Sequence, residues 1–295
     1  MNPPNYVTFL MEPSLRNSAI EGRHNFIAKV AEVLNNAGIV VGFDVFGAEP
    51  RGATLSHMKA PRDVGGLLFR RVYHYPFWQI ERSAERWDWD TAQADFPGAA
   101  EGAGGFFKRW QTHLFGTGPT KTSRDGFIYV PLQGRLRDHR SFQQCSPISM
   151  LEHCLTHAGG RRIVVGLHPK ESYSPSENVT LKRLERENDH LTVQRGGMEE
   201  ALRTCDFVVT QNSSVAFNAM FFEKPSLLFA KIDFHHICVL ADLTDLAESF
   251  SIVADHCPDY AGYVHWFWQL NCINAGREDA KERIAARFRR FGWLT

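Results

Sequence analysis

Three short segments hold side chains that can do chemistry, and each follows an apolar run. They are Gln133-Gly134 with Asp138, His168-Pro169-Lys170, and Gln211-Asn212-Ser213-Ser214. A residue before proline is pushed out of the helical region, so His168 is held extended at a strand edge. An imidazole placed there suits a phosphate oxygen, or can protonate a leaving phosphate. Ser213 is a good helix N-cap, and the start of a helix offers free N–H groups and partial positive charge to an anion. Gly134 permits close backbone approach to a ligand. Asp138 supplies a carboxylate that can be nucleophile, base or the end of a solvated turn. Each has a plainer alternative: a strand-end histidine bonded to backbone, and a serine that only caps. Lying one strand–helix unit apart, His168 and Ser213 together point to a shared phosphate site.

Such residues need a scaffold that brings strand ends together, and the apolar pattern supplies one. Tyr6 to Met11 reads as a strand, Phe26, Val30, Val33 and Leu34 recur at helical spacing, and Ile39 to Val41 resumes as a buried strand. Gly66 to Trp78 reads as one further strand, and Trp87 to Gly105 as a mobile loop. From residue 127 onward strands and helices alternate strictly: 127–130, 162–167, 191–193, 207–210 and 226–230 are strands with helices between them. That alternation predicts doubly wound α/β architecture with ligands at the strand C-termini. Gly116 to Ser123 is the best linker candidate. The expected organisation is therefore an N-terminal α/β domain over 1–122 on the acceptor side, a nucleotide-sugar-binding Rossmann-like domain over 123–272, and a C-terminal helix over 273–295.

Composition narrows the classes. The chain has 295 residues, with 33 Lys+Arg balanced by 33 Asp+Glu. A neutral chain lacks the basic field of a general nucleic-acid binder. Its 22 Phe and 7 Trp are too many for a disordered chain. Six cysteines without a C-x-x-C fit a reducing cytoplasm. No apolar run approaches the roughly 20 residues that cross a bilayer.

The ordered set of motifs over residues 127–232 resembles the bacterial capsule polysaccharide Kdo transferases. It comprises Val130-Pro131-Leu132-Gln133 followed by Asp138, Ser146-Pro147 and Met150, His168-Pro169, Asn212-Ser213-Ser214, and Ala219 with Lys224-Pro225. The resemblance implies a GT-B-like enzyme: two Rossmann-like domains, with C-terminal helices packing back on the first. It implies metal-independent transfer of a sugar, Kdo among the candidates, from a CMP-activated donor to a glycan or glycolipid acceptor, with no cofactor. By position, Asp138 becomes the candidate nucleophile and His168 the second catalytic residue. Gln133, Gly134, His168, Pro169, Lys170, Asn212, Ser213 and Ser214 become the nucleotide and phosphate contacts. The rival expectations are a UDP-sugar transferase or epimerase on the same fold, and a non-catalytic polysaccharide-assembly protein.

Other signals point to structure. Asp88-Trp89-Asp90 has a metal-binding form but reads as a solvated turn. His153 and His157 lie four apart without the glutamate of a zinc protease motif. The basic, aromatic stretch Lys281 to Trp293 suits either packing against the first domain or peripheral contact with the inner face of a membrane.

Overall fold

The computed structural model describes residues 3–98 and 100–295. The chain divides into two units, the described part of Met1–Gln93 together with Phe267–Thr295, and Ala94–Trp266. Each is a Rossmann-like α/β unit with its own sheet and core.

In the first unit β1 (Tyr6–Met11), β2 (Val40–Val45), β3 (Ala53–His57) and β4 (Leu67–Arg71) run parallel, and β5 (Phe77–Glu81) returns antiparallel. A two-residue strand, Ile273–Asn274, adds to β5, giving the order Ile273–Asn274, β5, β4, β3, β1, β2. The single strand expected over 66–78 is thus a hairpin of β4 and β5, because Tyr73 to Pro76 turn the chain back. The helix Asn25–Asn36 buries Phe26, Ile27, Val30 and Leu34, a stripe at helical spacing, and Phe26 stacks on Trp78 at 4.6 Å between centroids.

The C-terminal helix Ala280–Arg290 completes that core with Ile284 and Phe288, each fully buried and contributing about 2–3 kcal/mol. Its basic face is engaged within the same unit. Arg287 pairs with Glu81 (2.7 Å) and Asp90 (2.6 Å), Arg290 reaches Asp90 (2.5 Å), and Lys281 pairs with Glu32. Asp90 is therefore a latch for this helix rather than a free carboxylate of a turn. Among the described residues no helix is long and apolar enough to cross a membrane.

The second unit holds β6 (Phe127–Leu132), β7 (Arg162–Leu167), β8 (Leu191–Arg195), β9 (Phe207–Thr210), β10 (Ser226–Leu228) and β11 (Val239–Leu240). All are parallel, in the order β11-β10-β9-β6-β7-β8. From β6 the chain winds outward through β7 and β8, then crosses to β9 on the other side. The sheet therefore reverses direction between β6 and β9. The end of the expected loop over 87–105 instead forms the first turn of the helix Ala103–Phe115, which packs Phe107 on Phe221 (5.4 Å) and Phe115 on Phe222 (5.0 Å). Lys224, buried before β10, donates through Nζ to Ser123 O, fastening the chain just ahead of β6. His153 and His157 stack on Phe229 and Phe250.

Candidate functional site

In open α/β sheets, ligands settle outside the strand C-termini where the order reverses. In the second unit that point is flanked by the ends of β6 and β9. Thr210 Oγ1 donates to Pro131 O at 3.2 Å, tying the two strand ends together. Beside them lies a cavity of about 10 Å³ lined by Pro131, Leu132, Arg140, Met150, Thr210 and Gln211.

Two polar groups at this crevice are buried without a described hydrogen-bond partner: Gln211 Oε1 and Arg140 Nε. Gln211 is fixed by its other end, where Nε2 donates to Cys145 O at 3.1 Å. Arg140 lies over the Phe142 ring, and its backbone N–H donates to Gln143 Oε1 at 2.8 Å. Burial, then repulsion from Arg135, pulls its guanidinium below the usual arginine range, and Asp138 partly offsets this. Arg140 escapes sequence reading because an arginine in a loop following a strand carries no spacing signal.

The end of β7 is a tightly wired turn. His168 N–H donates to Tyr173 Oη (2.9 Å), and Tyr173 Oη–H donates to Leu132 O (3.1 Å), joining the ends of β6 and β7. Arg195, ending β8, reaches the carbonyls of His168, Pro169 and Glu171 at 3.3–3.4 Å. The His168 ring accepts the Lys170 N–H at Nδ1 (3.2 Å), so the neutral imidazole carries its proton on Nε2. The side chain is exposed, and that Nε2–H has no partner among the described residues. Gly134 comes so close to this turn that a Cβ there would lie 2.8 Å from Glu171 Oε2.

Glu177 holds the loop after β6. Its carboxylate accepts the N–H of Leu136 and, at 2.7 Å, that of Ser174, while Ser174 Oγ accepts the Glu177 N–H at 3.2 Å. Burial raises its pKa, but these donors outweigh burial and hold the carboxyl below its usual range. Its role is visible in sequence only as a capping box, Ser174-Pro175-Ser176-Glu177, and not as a tie to Leu136.

At the end of β9, Ser213 is buried and its Oγ accepts the Val215 N–H at 3.3 Å. Asn212 Nδ2 donates to Lys231 O at 3.3 Å. These two side chains set the turn, whereas Ser214 is exposed and its hydroxyl has no partner among the described residues. Gln133 and Lys170 are likewise exposed, while exposed Asp138 pairs with Arg135 at 2.6 Å. Because β6 sits between β7 and β9, His168 and Ser213 are two strand spacings apart, about 10 Å. Gln133 lies on the strand end between them. Among the described residues no group of three or more His, Cys, Asp and Glu is placed to hold a metal ion.

No family model matches this sequence, and no curated protein matches it. Solved structures do. A Thermosulfurimonas dismutans KpsC, beta Kdo 2,7 transferase, aligns with TM-score 0.51 at 12% identity, covering 97% of this chain and 99% of that one. The fold is GT-B-like. Two further structures align with lower TM-scores. S. aureus MnaA with UDP gives 0.38 at 11% identity over 99% of this chain and 98% of that one. The UDP-GlcNAc 2-epimerase from Neisseria meningitidis gives 0.35 at 10% identity over 97% and 99%.

Proposed function

We propose that this chain is a glycosyltransferase of bacterial surface-polysaccharide assembly that takes its sugar, of Kdo type, from a CMP-activated donor. One observation carries the proposal: Gln133, the His168 Nε2–H and the Ser214 hydroxyl, on three neighbouring strand ends beside the sheet reversal, have no hydrogen-bond partner among the described residues. The beta Kdo transferase named among the structural relatives supports the choice of donor.

Departure of CMP breaks one carbon–oxygen bond, and the electron pair goes to a single phosphate oxygen. His168 can donate its Nε2 proton there, while Ser214, Gln133 and Lys170 add hydrogen bonds and charge that strengthen as the phosphate leaves. Gly134, Pro169, Asn212 and Ser213 shape the three loops that carry these groups. Asp138 is the carboxylate for the sugar, trapping or stabilising its oxocarbenium-like carbon. Its exposed pair with Arg135 is of the kind worth about 0–1 kcal/mol, so it exchanges readily. The acceptor is a glycan or glycolipid hydroxyl.

Calorimetry with CMP and with UDP, on wild type, His168→Ala and Ser214→Ala, tests this. CMP should bind wild type and lose at least tenfold in affinity in each variant. Preference for UDP would move the chain to the UDP-sugar transferase or epimerase alternative. Absence of nucleotide binding would leave the non-catalytic assembly role.

A further inference from the structure

Beside the ends of β6 and β9, the cavity of about 10 Å³ has room for one oxygen-sized atom. It lies wholly inside the second unit, and exposed Gln133 lines it together with Arg140 and Gln211. Two of these side chains leave a buried polar atom without a partner among the described residues: Arg140 at Nε and Gln211 at Oε1. Gln211 is only 6% exposed. One atom donates and the other accepts, and that difference decides what the cavity can take.

Bonds elsewhere on each residue fix the two roles. An amide can be turned end for end, but Gln211 Nε2 donates to Cys145 O, a carbonyl that only the nitrogen end can serve. The oxygen end is therefore the one left over. Arg140 is held by its backbone and by a ring. Its N–H donates to Gln143 Oε1 at 2.8 Å, and its carbonyl accepts the Gln143 N–H at 2.9 Å. Its guanidinium lies 4.8 Å from the centre of the Phe142 ring. The turn itself is fastened to the chain after β10, where Gln144 N–H donates to Phe229 O at 2.8 Å and Lys231 N–H to Phe142 O at 3.0 Å. Donor and acceptor are thus in place before a ligand arrives, which spares the cost of ordering them.

The chemistry of the pair narrows the occupant. A carboxylate or phosphate oxygen would accept from Arg140 but repel Gln211 Oε1. An ammonium would suit Gln211 but meet the positive guanidinium. A hydroxyl serves both, since its oxygen accepts the Nε–H and its own hydrogen goes to Oε1.

We propose that Arg140 and Gln211 form a hydroxyl-recognition subsite that takes one alcohol group of the nucleotide sugar, from its ribose or from its transferred sugar. This rests on the transferase function proposed above and deepens it by assigning two specificity-determining residues besides the phosphate contacts. An analogue lacking the hydroxyl leaves both polar atoms buried and unpaired, and is rejected for that reason. Water has the same hydrogen-bonding chemistry and is the competing occupant.

The experiment measures affinity by calorimetry, without acceptor, for CMP, 2′-deoxy-CMP, 3′-deoxy-CMP and CMP-Kdo, on wild type, Arg140→Lys and Gln211→Met. Lysine keeps the charge and lacks the Nε–H, while methionine keeps the length and lacks the acceptor. If ribose supplies the hydroxyl, one deoxy nucleotide should bind wild type about tenfold or more weakly than CMP. In the variants that difference should shrink below about threefold, as expected when ligand group and residue are partners. If the transferred sugar supplies it, both deoxy nucleotides should match CMP, and only CMP-Kdo should lose about tenfold or more in the variants. Should Gln211→Met fail to fold, Arg140→Lys carries the comparison, because the bonds that hold Arg140 in place are made by its backbone. Wild-type affinity for all four ligands in Arg140→Lys, or a deoxy effect that persists unchanged in it, would overturn the subsite and leave a resident water only, with the transferase function intact. Wild type that binds none of the four would overturn the transferase function and the subsite together.

Discussion

The Glu177 carboxylate accepts the backbone N–H of Leu136, 41 residues earlier in the chain. One buried side chain thereby fastens the loop after β6 to the first turn of the helix Pro175–Glu187, and Gln133 and Asp138 inherit their placement from it.

Replacing Glu177 should cost stability in a pH-dependent way. Hydrogen bonds to a charged group are worth about 1.5–3 kcal/mol, so Glu177→Ala should lower stability by about 2–4 kcal/mol at neutral pH. The folded carboxyl titrates below its unfolded value near 4.3, so this stability is present above that value and is lost as pH falls through the folded one. Urea midpoints for wild type and variant should converge as the pH falls through the folded value.

His236 should give a second pH dependence at a different place. Its Nδ1 accepts the Tyr263 hydroxyl and its Nε2–H donates to Ala94 O, each at 2.9 Å. Burial, then the neighbouring His235, lowers its pKa to about 4. Between about pH 6.5 and 4 the unfolded chain binds a proton that the folded chain refuses, so stability falls as pH drops through this window. Melting temperatures should show that slope in wild type and a flatter one in His236→Gln.

The latch on the helix Ala280–Arg290 should be unequal in its two arginines. Arg287 is 17% exposed and faces Glu81 at 4%, whereas Arg290 is 59% exposed. Removing one partner of a buried pair costs about 3–5 kcal/mol, and of an exposed pair about 0–1. Arg287→Met should therefore depress the melting temperature strongly, and Arg290→Met by a degree or two.

Two glycines should respond oppositely to alanine. A Cβ on Gly166 would collide with the buried Tyr129 ring, at 2.7 Å from its Cε2, and overpacking of this kind costs about 1–3 kcal/mol. Gly105, inside the helix Ala103–Phe115, has nothing within 4 Å of such an atom. Gly105→Ala should raise stability by up to about 1 kcal/mol.

The two-unit α/β architecture was legible in sequence because buried parallel strands read as continuous apolar runs, as in 127–130 and 162–167. The helix Ala103–Phe115 was not, since Gly102, Gly104 and Gly105 carry the composition of a loop and only packing against Phe221 and Phe222 decides otherwise. Ile273–Asn274 is too short to leave a periodic signal. At the site, side chains directly after strands could be found by position, as His168 and Gln133 were. Residues defined by a partner far along the chain could not. Gln211 is oriented by the Cys145 carbonyl 66 residues earlier, and Glu177 resembles any capping glutamate until the Leu136 N–H is seen beside it. Strand order was also hidden, and with it the insertion of β6 between the strands carrying His168 and Ser213.

The first unit is discontinuous, and this bears on how a ribosome delivers it. Residues 94–266 emerge in full before Phe267, so the second unit can close its sheet while the first still lacks Ile284, Phe288 and Trp293. Until those side chains arrive, Phe26, Phe69 and Trp78 stand over an unfinished core. The half of the molecule synthesised first is completed last, and a chain stopped after residue 266 would present that apolar surface to chaperones and proteases.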